Sequence, residues 1–263
     1  GGTGKTTFIA LTTKYLIEIG ETPLLLVDAD PDQNLGEMVG VDLEAAGKKT
    51  ITDLLYETFM EEGGTWAGVP PSERMESIIW EEGLYEGEHF DFMALGTKYT
   101  EGCYCLPDAA LKGALERITK NYRYILIDSP AGLEQLNRRV SSRFHDIFEV
   151  LDPSKKAFDH VRRALRVMKE VGIVFDNVFL VGSYDFPEEL GRRAEEELGL
   201  RFLGKIAYDK VVRSFVLEGR SLLDLPEDSP AYVSVKKILE EAGYIPFRRL
   251  LFPESLISAE ELK

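Results

Sequence analysis

The chain opens on Gly1-Gly2-Thr3-Gly4-Lys5-Thr6-Thr7, a run whose residue types suit one task, wrapping a polyphosphate. Glycines let successive backbone N–H groups curl around a phosphate, Lys5 brings positive charge to it, and the Thr6 hydroxyl is a hard oxygen ligand for Mg2+. A flexible turn would explain the glycines alone, but Lys-Thr after the last glycine, with helical spacing behind it, favours the phosphate reading. Two further runs place carboxylates where such a ligand needs them. Asp28-Ala29-Asp30-Pro31 and Asp128-Ser129-Pro130-Ala131-Gly132 each close an apolar run, and ligands gather at the ends of parallel strands. Asp128 is expected to hold a Mg2+-bound water and the Gly132 N–H to approach a terminal phosphate. Asp30 is expected to orient the attacking water, because phosphoryl transfer depends on positioning and charge stabilisation. Either aspartate alone reads equally as a helix cap. Three coincident motifs favour a nucleotide site in which Lys5, Asp30 and Asp128 carry the chemistry.

The second group able to do chemistry is Cys103 and Cys105, within Thr100-Glu101-Gly102-Cys103-Tyr104-Cys105. One residue apart, they cannot close a disulfide without severe strain. In an extended segment residues i and i+2 face one side, so both thiols would address one point. A structural metal takes four ligands, and a two-fold axis would double two thiolates to four. The expected site is therefore a tetrahedral thiolate centre at a homodimer interface, suited to Zn2+, Ni2+ or an iron-sulfur cluster. Two buried thiols beside a strand are the plain alternative.

These residues need elements to position them. Phe8 to Ile19 has helical spacing and ends at Gly20, and Pro23 to Asp28 reads as a short buried strand. Apolar runs recur at Phe90 to Leu95, Tyr124 to Ile127, Ile147 to Leu151, Val178 to Gly182 and Phe202 to Ile206. Strands alternating with helical stretches indicate α/β architecture: a doubly wound, mostly parallel sheet flanked by helices. Residues 1–263 read as a single domain, with 56–88 as an insertion of helices and loops. A phosphate loop normally follows a strand, so the first strand of the fold is expected upstream of Gly1.

Composition narrows the function classes. With 31 basic and 46 acidic residues the net charge is -15, which argues against a protein that coats nucleic acid or anionic lipid. No apolar run reaches the roughly 18 residues of a membrane span, and a cytoplasmic location is expected. His89, His145 and His160 are scattered without metal-ligand spacing. Lys155, Lys156, Arg162, Arg163, Arg166 and Lys169 read as a solvated basic helix face. Phe247 to Phe252 reads as a docked terminal segment.

The phosphate loop and the Asp-x-Asp-Pro run resemble the deviant phosphate-loop ATPases, the NTPase group of the nitrogenase iron protein, ParA and MinD. In that group a second lysine just ahead of the loop reaches a partner's nucleotide; that position falls before residue 1. Phe90 to Gly96, Gly102-Cys103-Tyr104-Cys105, Tyr122 to Asp128 and Ala131 to Arg139 resemble the CooC-type carbon monoxide dehydrogenase maturation ATPases. The likeness runs on through Leu151-Asp152-Pro153-Ser154 to Ile206-Ala207-Tyr208-Asp209. It implies an ATP- and Mg2+-dependent homodimer that binds metal through the cysteine pair and assists nickel insertion into carbon monoxide dehydrogenase or acetyl-CoA synthase; the acidic charge and the short apolar runs add the expectation of no nucleic acid or membrane partner. Pro130, Gln135 and Ser183 depart from the pattern; an Asn often contacts adenine at the place of Ser183. The rival readings are a positioning ATPase of the ParA or MinD class and an iron-sulfur scaffold or reductase.

Overall fold

The computed structural model describes residues 3–61, 68–97, 105–130 and 143–246. Helix α1 (Lys5–Glu18) leads directly out of the phosphate loop. It is followed by strand β1 (Leu24–Asp28), short helix α2 (Asn34–Val39) and α3 (Ile51–Tyr56), which continues as a π-helical turn through Glu61. Helix α4 (Pro71–Ile78), also extended by a π turn, precedes the two-residue strand β2 (Tyr85–Glu86) and β3 (Phe90–Ala94). Then come α5 (Cys105–Ile118), β4 (Tyr124–Asp128), β5 (Arg143–Leu151) and α6 (Lys155–Glu170). The C-terminal third holds β6 (Val174–Gly182), α7 (Leu190–Leu198), β7 (Arg201–Lys205), α8 (Lys210–Leu217) and α9 (Pro230–Ala242).

The strands form two blocks, one ordered β2-β3-β1-β4 and the other β5-β6-β7. Every pairing is parallel except β2 with β3, in which Tyr85 faces Phe92 and Glu86 faces Asp91. All five residues of β1 are buried, as expected of a strand paired on both edges and covered on both faces. One apolar cluster lies on the side of α1, α2 and α9, and a second joins the opposite face to α3, α4 and α5. A third seals β5 and β6 against α6 and α7. Helices on both faces make the architecture doubly wound, as the alternation of runs implies.

Among the described residues no ladder joins β4 to β5. The blocks are tied through side chains instead. Phe8 of α1 packs its ring 5.3 Å from Phe148 of β5, while Tyr244 stands between Tyr124 of β4 and Phe148 and donates its hydroxyl to Asp146. The cluster around α1 contains Leu26 and Phe92 of one block and Val181 and Ile206 near the other.

Strands β5 and β6 also begin four residues before their apolar runs. Their polar first halves pair with each other: Arg143 bridges Asp176, and the Asn177 side-chain amide donates to Asp146.

Candidate nucleotide site

Gly4 sits at the N-cap of α1 with φ 92°, a left-handed conformation that favours glycine. It lets the chain turn from the loop straight into the helix, and the Gly4 carbonyl accepts from the Phe8 N–H. The first turn of α1 carries no acidic side chain, so its free N–H groups and positive dipole end remain open to an anion. Thr3, Lys5, Thr6 and Thr7 are half-buried, and the Lys5 ammonium lies 3.4 Å from the Thr3 hydroxyl. Gly1, Gly2 and Gly132 lie outside the described residues.

Strands β1 and β4 deliver the carboxylates. In the parallel register Asp28 stands directly beside Asp128, and the Ala29 N–H donates to the Asp128 carbonyl. Asp128 is 2% exposed. Burial drives its pKa up, with the Asp30 charge adding to the rise, while a hydrogen bond from Thr6 and the charge of Lys5 pull it down. Its Oδ2 is buried without a protein hydrogen-bond partner. A buried, orphaned carboxylate oxygen is costly, and next to a threonine hydroxyl at a helix N-terminus it has the oxygen donor chemistry that Mg2+ takes. The residues present therefore fit that ion.

Asp28 is a residue the sequence reading leaves without a role. Its Oδ1 accepts from the Asp30 N–H at 3.1 Å and its Oδ2 from the Leu35 N–H at 2.9 Å, so one carboxyl fixes both the start of the aspartate loop and the first turn of α2. Burial, with the neighbouring carboxylates of Asp128 and Asp30, pushes its pKa up to about 7 against those two amide donors. Asp30 lies at the turn so formed: its side chain accepts from the Asp32 N–H and its carbonyl from the Gln33 N–H. Glu149 of β5 is a second unforeseen carboxylate. Burial raises its pKa, while His160 and Lys5 draw it back, which places it within electrostatic reach of the loop lysine.

The far wall comes from the other block. A side chain on Gly4 would lie 3.4 Å from Ile206 Cδ1, so the end of β7 touches the phosphate loop. Beyond it, Ser183 is buried and its hydroxyl donates to Asp185. Tyr184 and Tyr208, on the turns after β6 and β7, bring their ring centroids within 6.1 Å of each other.

The cysteine pair is brought to no site among the described residues. Cys103 lies outside them, and Cys105 is the first residue of α5. The expected geometry of the pair therefore lies outside the described residues. Among the described residues no group of three or more His, Cys, Asp or Glu could hold a metal, and no helix there is long and apolar enough to cross a membrane.

The profile of the AAA domain family matches residues 1–172. The chain belongs to that family and is a phosphate-loop ATPase. The ATPase is 33% identical to an uncharacterized ATP-binding protein of Methanocaldococcus jannaschii over 92% of this chain and 94% of that one. It is 23% identical to the carbon monoxide dehydrogenase accessory protein CooC of Rhodospirillum rubrum, over 92% and 95%. Among solved structures, the ATPase is similar to the septum site-determining protein MinD of Pyrococcus horikoshii complexed with Mg-ADP. The TM-score is 0.62 at 24% identity, covering 93% of this chain and 92% of that one. That likeness gives the fold: a MinD- and ParA-like, mostly parallel α/β arrangement.

Proposed function

We propose that this ATPase hydrolyses Mg-ATP as a homodimer and uses the cycle to load nickel into an enzyme of the carbon monoxide dehydrogenase or acetyl-CoA synthase type. The hydrolytic half rests on one observation, the buried free oxygen of Asp128 beside Thr6 at the N-terminus of α1. Thr6 and Asp128 would hold Mg2+, which when bound supplies charge neutralisation to the phosphate oxygens. The amides of the loop and the Lys5 ammonium would bind the β- and γ-phosphates. Asp30 would orient a water whose oxygen attacks the γ-phosphorus as the bond to the β–γ bridging oxygen breaks. ADP then leaves with that electron pair, and the water proton ends on the released phosphate. Asp28, fastened to residues 30 and 35, would set where Asp30 points, so loss of the γ-phosphate would release the loop and α2 together.

The client half is supported by the likeness to CooC along most of both chains and by the spacing of Cys103 and Cys105. Fold likeness to MinD favours a second reading, a positioning ATPase, and four thiolates would also suit an iron-sulfur cluster. Metal content and mass in solution of the anaerobically purified full-length protein separate these. The expected result is one Zn2+ or Ni2+ per dimer, metal-promoted dimerisation, and loss of both in Cys103→Ser/Cys105→Ser with ATP binding intact. One metal per monomer, or unchanged stoichiometry in the double variant, removes the shared site. A brown preparation with cluster absorbance moves the assignment to iron-sulfur chemistry.

A further inference from the structure

Beside α2 lies a cleft of about 570 Å3, within the size range of small-molecule sites. Its apolar lining includes Val41, Phe92 and Ala94, all buried. Gly36 lets this lining close up: an added methyl there would come 2.9 Å from the Val41 carbonyl oxygen and 3.3 Å from the Phe92 ring. Three exposed carboxylates, Glu37, Asp42 and Glu44, line the same cleft. The cations that follow them in sequence are engaged elsewhere. Lys48 donates to the Glu81 carbonyl, and Lys49 bridges Glu57 and Glu82. Next to Gly219, on the opposite lip, Arg220 lies 3.8 Å over the Phe215 ring and meets Glu218 at 3.5 Å. Nor do the three carboxylates converge, since no group of three or more His, Cys, Asp or Glu among the described residues could hold a metal ion.

We infer that this cleft binds an aliphatic oligoamine, a chain of methylenes carrying two or more ammonium groups. A lone hard cation takes several oxygens at one point and gains nothing from an apolar wall. Carboxylates set apart around an apolar lining suit the reverse, positive charges set apart along apolar stems. Lysine side chains divide themselves in the same way, laying methylenes on apolar surface while the ammonium stays in water. Each ammonium also brings three donors to carboxylates that can only accept. The place of the cleft gives its ligand an effect. Gln33 lines it and donates its N–H to the Asp30 carbonyl. Helix α2, which supplies Gly36 and Glu37, is fastened to Asp28 through the Leu35 N–H. A ligand lying between α2 and β3 holds that helix in place. Resting on the nucleotide reading above, this slows the release of loop and helix that follows hydrolysis.

The test is calorimetric titration of the full-length, nucleotide-free protein with spermidine and with hexaamminecobalt(III), a compact cation of the same charge that has no methylenes. The variants are Glu37→Gln/Glu44→Gln in the cleft and Glu170→Gln/Glu188→Gln elsewhere, a control for the same loss of charge. All four side chains are exposed, so both variants should fold. The parent should bind one spermidine per chain, and the cobalt complex at least about tenfold more weakly. The cleft variant should lose roughly tenfold in spermidine affinity, as two exposed ion pairs allow, and the control should match the parent. Equal affinity for the two cations, or equal losses in the two variants, would reduce the effect to diffuse attraction by an acidic surface and overturn the cleft. Saturating spermidine should also slow ATP turnover severalfold in the parent and less in the cleft variant. Turnover unaffected by bound spermidine would remove the link to the aspartate loop. A parent that binds spermidine in the cleft but no Mg-ATP would overturn the nucleotide reading and leave the cleft standing.

Discussion

Asp28 touches no expected ligand, yet it holds the residue that would act on one. Asp28→Asn replaces one of two acceptors with an amide donor, which would face a backbone N–H of Asp30 or Leu35. The loop should loosen rather than unfold. Because misplacing a reacting group by about 1 Å can cost a hundredfold, ATP turnover should fall roughly ten- to hundredfold while Mg-ATP affinity changes little. Asp30→Ala should likewise retain ATP but not cleave it, whereas Lys5→Ala should lose affinity. Single-turnover rates and binding constants for the three variants check this, and an Asp28→Asn protein that turns over like the parent would show that the loop needs no such anchor. At this scale Lys5, Thr6, Asp30 and Asp128 are legible as candidates because each belongs to a short run whose residue types have few other uses. Asp28 was not, since its partners are backbone amides, which leave no trace in residue type. Nor was the meeting of Tyr184 with Tyr208, which depends on how two separate turns are stacked.

Among the elements, the exit of β3 is closely packed against the start of α3, and in sequence it leads toward the cysteine segment. Thr50 caps α3 in a reciprocal box with Asp53. The Leu95 carbonyl accepts from both the N–H and the hydroxyl of Thr52. Gly96 then passes over Thr50 at φ 75°, where an added methyl would come 2.5 Å from the Thr50 hydroxyl. Gly96→Ala should therefore destabilise by at least about 1 kcal/mol, and Thr50→Ala by about 1 kcal/mol through the lost cap. Urea melts of both variants measure this. If Gly96→Ala were neutral, Thr50 would have room to move and the β3 exit would not be fixed. Apolar runs located β1, β3, β4 and β7 to within a residue or two. They missed the first halves of β5 and β6, where pairing is made by Arg143, Asp146, Asp176 and Asn177 rather than by burial. They also missed β2, too short at two residues to carry any period.

For the molecule as a whole, the alternation of strands and helices is readable, but which strand pairs with which among the described residues is not, because strand pairing is a relation between distant segments. The candidate nucleotide site draws on both blocks: Thr6 and Asp128 stand together on one side, and Ile206 of the other block meets the phosphate loop at Gly4. The blocks share one apolar cluster around α1, while each also has a cluster of its own, and units joined by few bonds open separately. Calorimetry of the ligand-free protein should then resolve two overlapping transitions, with amides of β5 to β7 exchanging at rates different from those of β1. A ligand that binds only the assembled site stabilises it in proportion to its saturation. Mg-ATP should merge the transitions into one and slow exchange in both blocks together; a single transition that ATP does not sharpen would contradict this. Seen this way the nucleotide is a removable rivet, and hydrolysis changes how far a disturbance on one side of the molecule is felt on the other.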